Sequence, residues 1–350
     1  MGKHAFVLTE YRCAECLLRV SAVPVTSVAV SAAEKALQVQ SCAREHSTMA
    51  GHVTSLNHLQ RCAAALGVEL LPMSEELMKI AFSWFLSCGK SLSVCSGIWS
   101  TVAVWHSVRE LPSPFESASA SLWWDGLKRL AYAQVKHYAE FPHEKWVYMI
   151  RTLVARGTLI DLRDAVWLCL GYLAFSRHSE VSGRKHEPEF ARGFRFCDVD
   201  LSRADRVRLK VRASKQDPDG RGAYKVVSAR TRSGVNFRSI LLRYYALLGL
   251  TVSQAAACEL PLIQPTGIRA TPHVGARRFR VDRRFKQLQL QMFGAALYTF
   301  HCLRVGGSTH ALACGVHPSL GKAHGLWSSE SYWLYARFRD DARLGVTSAM

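Results

Sequence analysis

The chain has 350 residues, 49% of them hydrophobic, and a mean hydropathy of +0.01, which excludes a disordered tail and leaves room for two domains. Its longest apolar run, 165–175, is too short to cross a bilayer, and its first residues lack the apolar stretch of a secretory signal, so the expectation is an intracellular protein with no membrane partner. A formal net charge of +18 favours a polyanionic partner, nucleic acid foremost, with binding that weakens as salt rises.

In chain order, residues 1–40 form an N-terminal extension with short apolar alternation (Val20, Val23, Val25, Val28, Val30) and no recognisable chemistry. Cys13 and Cys16, followed by Cys42 and His46, have loose metal-ligand spacing. The two halves lie far apart, and no metal is expected. Residues 41–138 show helical periodicity and read as a small helical domain. Val53, Leu56, Leu59, Ala63 and Leu66 make one stripe stopped by Gly67. Ser74 caps a second helix with Leu77, Ala81, Trp84, Phe85 and Cys88 on one face, ended by Gly89. Ser93 opens a third, with Val94, Ile98, Val102, Trp105 and Val108, broken by Pro112 and Pro114. A fourth is expected around Leu122 to Tyr132. Cys88, Cys95, Cys169 and Cys314 are expected to pack as small hydrophobes on apolar faces.

Residues 139–350 make the second domain. Helices are expected near Glu144–Arg156 and Asp161–Phe175, separated by Gly157, with Asp161 as a cap. From Phe194 to Arg212 the period changes to two. Val207, Leu209 and Val211 face one side while Arg206, Arg208, Lys210 and Arg212 face the other. The turn Asp217-Pro-Asp-Gly220 leads to Tyr224-Lys-Val-Val227, giving a hairpin. The rest is helical, with a basic run at Arg277, Arg278, Arg280, Arg283 and Arg284. The fold class is therefore mainly α with a small antiparallel β-sheet (α+β).

The chemistry gathers late in the chain. His301-Cys-Leu-Arg304-Val-Gly-Gly-Ser-Thr puts an imidazole and a guanidinium three residues apart on one helix face. Arg304 offers a planar fork matched to two phosphate oxygens. Gly325-Leu-Trp327 follows, and Tyr335, ten residues after Gly325, offers a phenolic oxygen able to attack phosphorus. Tyr332 competes on the same face.

On these motifs, residues 45–340 resemble the tyrosine recombinases, and most closely their transposon-encoded and eukaryotic branch. The resemblance implies a helical core-binding domain and a mixed α/β catalytic domain that together clamp double-stranded DNA, in a homo-tetramer on paired DNA sites, with no metal or nucleotide cofactor. In a eukaryotic source the protein would work in the nucleus. Gly171-Tyr-Leu-Ala-Phe-Ser-Arg177-His-Ser-Glu180 matches the family's Arg-x-x-Glu step. Arg177 is thereby implied as the first phosphate clamp and Glu180 as its support. Lys215, in Ala213-Ser-Lys215-Gln-Asp-Pro, fits the family's hairpin lysine, His301 and Arg304 its His-x-x-Arg box, and Tyr335 its nucleophile. Trp327 is implied in a packing role, one residue past the position where the family usually places His or Trp and this chain has Leu326. The basic run from Arg277 to Arg284 is expected on the DNA backbone.

The expected activity is DNA breaking and rejoining through a 3′-phosphotyrosyl intermediate. Two guanidiniums can stabilise the charge that builds on the non-bridging oxygens, and a hairpin lysine can protonate the leaving 5′-oxygen. A type IB topoisomerase and a DNA-binding descendant without turnover remain as alternatives.

Overall fold

The computed structural model describes residues 46–132, 139–182, 193–212, 222–264 and 278–335. It divides into two compact units, Met1–Lys136 and His137–Met350. Their described parts are mainly helical, with one three-stranded antiparallel sheet.

In the first unit α1 (His46–Leu66), α2 (Glu75–Ser87), α3 (Leu92–Val108) and α4 (Ala118–Tyr132) surround one apolar core. The buried stripe of α1 is half polar: His52, Ser55, Leu59 and Cys62 point inward. His52 is held by Thr101 at 2.8 Å. Ser74 Oγ accepts from the Leu77 amide at 3.2 Å and Gly89 takes φ +69° just beyond α2, so the expected cap and stop are both present. The inner face of α2 is Met78, Ala81, Phe82 and Phe85, and Cys88 is exposed at its end. Two boundaries shift. Ser91, not Ser93, occupies the N-cap position of α3. The fourth helix begins four residues before Leu122, because Ser117 Oγ accepts from the Ala120 amide at 2.9 Å and caps it. Trp99 stacks on Phe115 with ring centroids 3.7 Å apart and leans on Trp124, closing the core.

The second unit is built around α6 (Leu159–Tyr172), which is buried on every side from Asp161 to Tyr172. Thr158, not Asp161, caps it: the Thr158 hydroxyl accepts from the Asp161 amide and donates to the Asp161 carboxylate at 2.6 Å. Helix α5 (His143–Arg156) precedes it and ends at Gly157 with φ +66°. A short α7 (His178–Ser182) follows. Then come β1 (Val199–Asp200), β2 (Arg206–Val211) and β3 (Ala223–Ser228) in the order β1-β2-β3. In β2 the side chains alternate as the sequence predicts, with Val207, Leu209 and Val211 buried. The register sets Leu209 opposite Lys225 and Val207 opposite Val227.

Helices α8 (Phe237–Leu247), α9 (Val252–Ala256), α10 (Arg278–Phe293), α11 (Phe300–Ala313) and α12 (Pro318–His324) complete the unit, and a 3-10 turn over Glu330–Leu334 leads to Tyr335. Cys95 and Cys169 are buried as expected. Cys314, like Cys88, is exposed, so those two thiols are not part of the core. No helix among the described residues is long and apolar enough to cross a membrane.

Candidate functional site

The paired glycines of α11 explain how His301 and Arg304 reach the interior. A Cβ on Gly306 would overlap the backbone of Phe141, and one on Gly307 would overlap the Tyr172 carbonyl oxygen and press on the Phe175 ring. Only glycine lets α11 lie this close to the end of α6 and the segment before α5. Gly171 repeats the device from α6, where a Cβ would meet Leu303 and Phe300 at 3.0 Å. Arg304 is 1% exposed as a result. Its Nη1 donates to the Phe175 carbonyl and its Nη2 to the Gly325 carbonyl at 3.0 Å, while the buried Nε has no hydrogen-bond partner.

Just past α6 the chain turns sharply. Phe175 takes φ +46°, a conformation unfavourable for a bulky residue. Its carbonyl thereby faces two cations, Arg304 and the Lys225 ammonium, the latter at 3.4 Å. Two residues on, Arg177 Nη1 donates to Glu180 Oε1 at 2.9 Å and its amide donates to Oε2 at 3.1 Å. Lys225 Nζ donates to the same Oε2 at 2.8 Å. Among the described side chains, partly exposed Arg177 and buried Lys225 and Arg304 thus carry three positive charges against the single negative charge of buried Glu180, leaving a net two. Burial alone would raise the Glu180 carboxyl, but Lys225, Arg304 and Arg177 outweigh it and hold the group down at about 2. Burial, aided by repulsion from Arg304 and Arg177, brings Lys225 down to about 8 against the pull of Glu180. Burial also lowers Arg304 from its ordinary value, and a guanidinium still stays charged at neutral pH.

Aromatic rings close the other side. The Arg304 guanidinium carbon lies 3.7 Å over the Trp327 ring and 5.4 Å from the Tyr335 ring centre. The His301 ring meets Tyr335 edge-on at 5.1 Å. A Cβ on Gly325 would overlap Trp327, so Gly325 is what lets that indole fold back on Arg304. The Thr309 hydroxyl donates to the Tyr335 carbonyl at 2.9 Å, tying the end of the 3-10 turn to α11. Tyr332 packs its ring edge-on against the far side of this cluster, 5.3 Å from Trp327. It is 1% exposed, and a Cβ on Gly321 would meet its hydroxyl at 2.7 Å. Leu326 has φ +54° and packs its side chain against the main core.

Arg177, Glu180, His301, Arg304, Trp327 and Tyr335 are therefore brought together. Lys215 lies outside the described residues, as do Arg277, the extension 1–40 with Cys13 and Cys16, and the tail beyond Tyr335. Arg278 and Arg280 fall in the first turn of α10. The basic run does not act as one face: Arg283 is exposed, whereas Arg284 turns inward and its Nε donates to buried Asp164 at 2.6 Å. Asp164 also accepts from Arg163 and from the Trp167 indole. Among the described residues, no three His, Cys, Asp or Glu side chains are grouped to hold a metal ion.

Sequence reasoning missed two residues at the site. Lys225 occupies the inward face of β3, between exposed Tyr224 and Val226 and in phase with buried Val227. Strand alternation carried one step further, through a lysine, would have exposed it. His324 accepts no obvious sequence signal; its Nε2 is 2.7 Å from the Leu173 carbonyl and its ring meets Phe175 edge-on.

No family sequence model matches the chain, and no curated protein is significantly similar to it in sequence. Structural comparison is informative. The XerH site-specific recombinase bound to a palindromic difH substrate in a post-cleavage complex superposes with a TM-score of 0.58 at 11% identity, over 96% of this chain and 87% of that one. The Tn1549 transposon integrase in complex with transposon right-end DNA gives 0.54 at 12% identity, over 88% of this chain and 95% of that one. A lambda integrase dimer bound to a COC′ core site gives 0.52 at 13% identity, over 85% and 90%. The chain has the fold of the tyrosine recombinases.

Proposed function

We propose that this protein breaks and rejoins duplex DNA by attack of Tyr335 on a phosphodiester, forming a 3′-phosphotyrosyl ester that a 5′-hydroxyl later reverses. The observation that carries the reading is the excess of buried positive charge beside that phenol. An excess of positive charge is unfavourable in a low-dielectric interior unless an anion enters. A phosphodiester brings one negative charge and the oxygens to accept from Arg177, Arg304 and the unpaired Arg304 Nε. The same donors stabilise the pentavalent transition state, where the oxygens carry more charge than in the ground state.

In this mechanism Arg177 and Arg304 bind the non-bridging oxygens. His301, beside the Tyr335 ring, supports the phosphate and the proton balance at the phenol. Lys215 on the β2–β3 connection protonates the leaving 5′-oxygen. Trp327 packs beneath Arg304 and limits its rotamers. Arg277, Arg278, Arg280 and Arg283 are assigned in this reading to the DNA backbone. One relative is a lambda integrase tetramer bound to a Holliday junction; by analogy this chain works as a homo-tetramer on paired sites, inside the cell and with DNA.

The test is trapping on a nicked suicide duplex. The parent protein gives a covalent adduct that is lost in Tyr335→Phe and retained in Tyr332→Phe. Loss in Tyr332→Phe alone moves the nucleophile. Leu326 favours a second reading, because an apolar side chain turned into the core gives the phosphate no donor where relatives usually place His or Trp. A parent that binds the duplex but never forms an adduct supports that reading, a DNA-binding protein without turnover. Relaxation of supercoiled DNA without paired sites would instead indicate a topoisomerase.

A further inference from the structure

We propose that Lys225 is a positioning residue of the phosphate site, setting Arg177 through Glu180 and Arg304 through the carbonyl of Phe175. This rests on the reading of that site as a phosphate pocket. Lys225 is 1% exposed, reaches in from β3, and is separate from the connection that carries Lys215.

The geometry gives Lys225 two points of leverage. Glu180 Oε2 receives the Lys225 ammonium at 2.8 Å, while Oε1 receives Arg177 at 2.9 Å. Lys225 and the Arg177 amide, at 3.1 Å, both hold Oε2; together they restrict rotation of the carboxylate and so orient the guanidinium bound to Oε1. The second point is the Phe175 carbonyl. It accepts from Lys225 and from Arg304, on a residue with φ +46°. That backbone conformation is unfavourable for phenylalanine and needs the surrounding bonds to hold it. Ser176 Oγ, 3.5 Å from the ammonium, completes the seat. Lys225 is thus the one described side chain bonded to the partners of both arginines. Its distance from solvent separates this role from that of a surface lysine touching DNA.

The role has a distinctive genetic signature. Acting through Glu180, Lys225 should be non-additive with it, whereas an independent structural contribution should add. The experiment uses the full chain in four forms: parent, Lys225→Met, Glu180→Gln and the double variant, with Lys225→Arg as the conservative change. Two readouts are taken. The first is single-turnover adduct formation on the suicide duplex at saturating protein, with duplex affinity measured separately. The second is the rise in melting temperature with inorganic phosphate, counting only the part abolished by Arg177→Ala.

Positioning predicts that Lys225→Met slows adduct formation by about 100-fold, the scale of a misplacement near 1 Å, with duplex affinity little changed. It predicts loss of the Arg177-dependent phosphate shift, partial recovery of both in Lys225→Arg, and a double variant no slower than Glu180→Gln alone. Equal rates in Lys225→Met and parent would overturn it, as would a double variant slower by the product of the two single effects. Should Lys225→Met not fold, the double variant, which removes both buried charges together, carries the comparison with Glu180→Gln. If the parent forms no adduct but keeps the Arg177-dependent phosphate shift, strand cleavage fails as the function and positioning is decided by the phosphate shift. A parent without that shift overturns the phosphate pocket and this inference together.

Discussion

Gly307→Ala tests whether close approach of α11 to α6 builds the site. In an unconstrained helix this change is stabilising by about 1 kcal/mol, because alanine restricts the unfolded chain. At position 307 the added Cβ overlaps the Tyr172 carbonyl oxygen and comes within 2.9 and 3.0 Å of two Phe175 ring carbons. Neither can turn aside, since one is backbone at the end of a buried helix and the other is a ring packed near Trp327. Overpacking of this kind costs about 1–3 kcal/mol, and a rigid backbone oxygen places it at the upper end. Subtracting the propensity gain leaves a net loss of about 2 kcal/mol. For a unit of this size that lowers the melting temperature by roughly 4–8 °C. Arg304 lies one turn away on the same helix, so a retreat of about 1 Å should slow adduct formation by about 100-fold. Gly126→Ala in α4 is the control. Nothing lies within 4 Å of its Cβ, so the same chemical change should raise stability by up to about 1 kcal/mol. Thermal unfolding followed by circular dichroism, with cleavage of the suicide duplex, measures both. If Gly307→Ala matches Gly126→Ala in stability and the parent in rate, the close-packing explanation of the glycine pair is wrong.

Glu180 is ionised in the fold well below its ordinary range, so it contributes stability that is present above about pH 4.5 and lost as pH falls toward 2; urea unfolding should show parent and Glu180→Gln converging across that window, and a constant gap would contradict the pairing. Thr309→Val keeps the shape but removes the hydroxyl that holds the Tyr335 carbonyl; stability should fall by about 1 kcal/mol and adduct formation should slow, while unchanged rates would show that the tether does not place the tyrosine. Arg283→Ala should reduce the slope of log affinity against log salt by about 1 at unchanged stability. Arg284→Ala should do the reverse, destabilising by about 1.5–3 kcal/mol because buried Asp164 loses one charged partner and keeps Arg163 and Trp167, and equal salt slopes in the two variants would refute the division.

Much of the architecture is legible from local pattern. The β2 alternation holds residue by residue, because a strand with one buried face must place Val207, Leu209 and Val211 together. Gly67, Gly89 and Gly157 stop helices where expected, since each takes positive φ. Helix starts were less legible. Ser91 and Thr158 take the N-cap positions in place of the later Ser93 and Asp161, and several hydroxyl or carboxylate residues near a helix start satisfy the same sequence rule. Cys88 and Cys314 follow an apolar stripe to a helix end, where both are exposed.

By itself the sequence determined the order of helices and strands and the chemical types available for the site, because these depend on neighbours within a few turns of chain. It supplied Arg177 with Glu180, His301 with Arg304, and the spacing from Gly325 to Tyr335. The tertiary structure decided which charges belong together. It drew Lys225 into the cluster of Glu180 and both arginines, withdrew Arg284 to Asp164, and buried Tyr332 while placing Tyr335 beside His301. The physical reason is that a cation's role is set by the nearest carboxylate or carbonyl in space. Here those partners lie from 21 to 129 residues away along the chain, beyond the reach of any local periodicity.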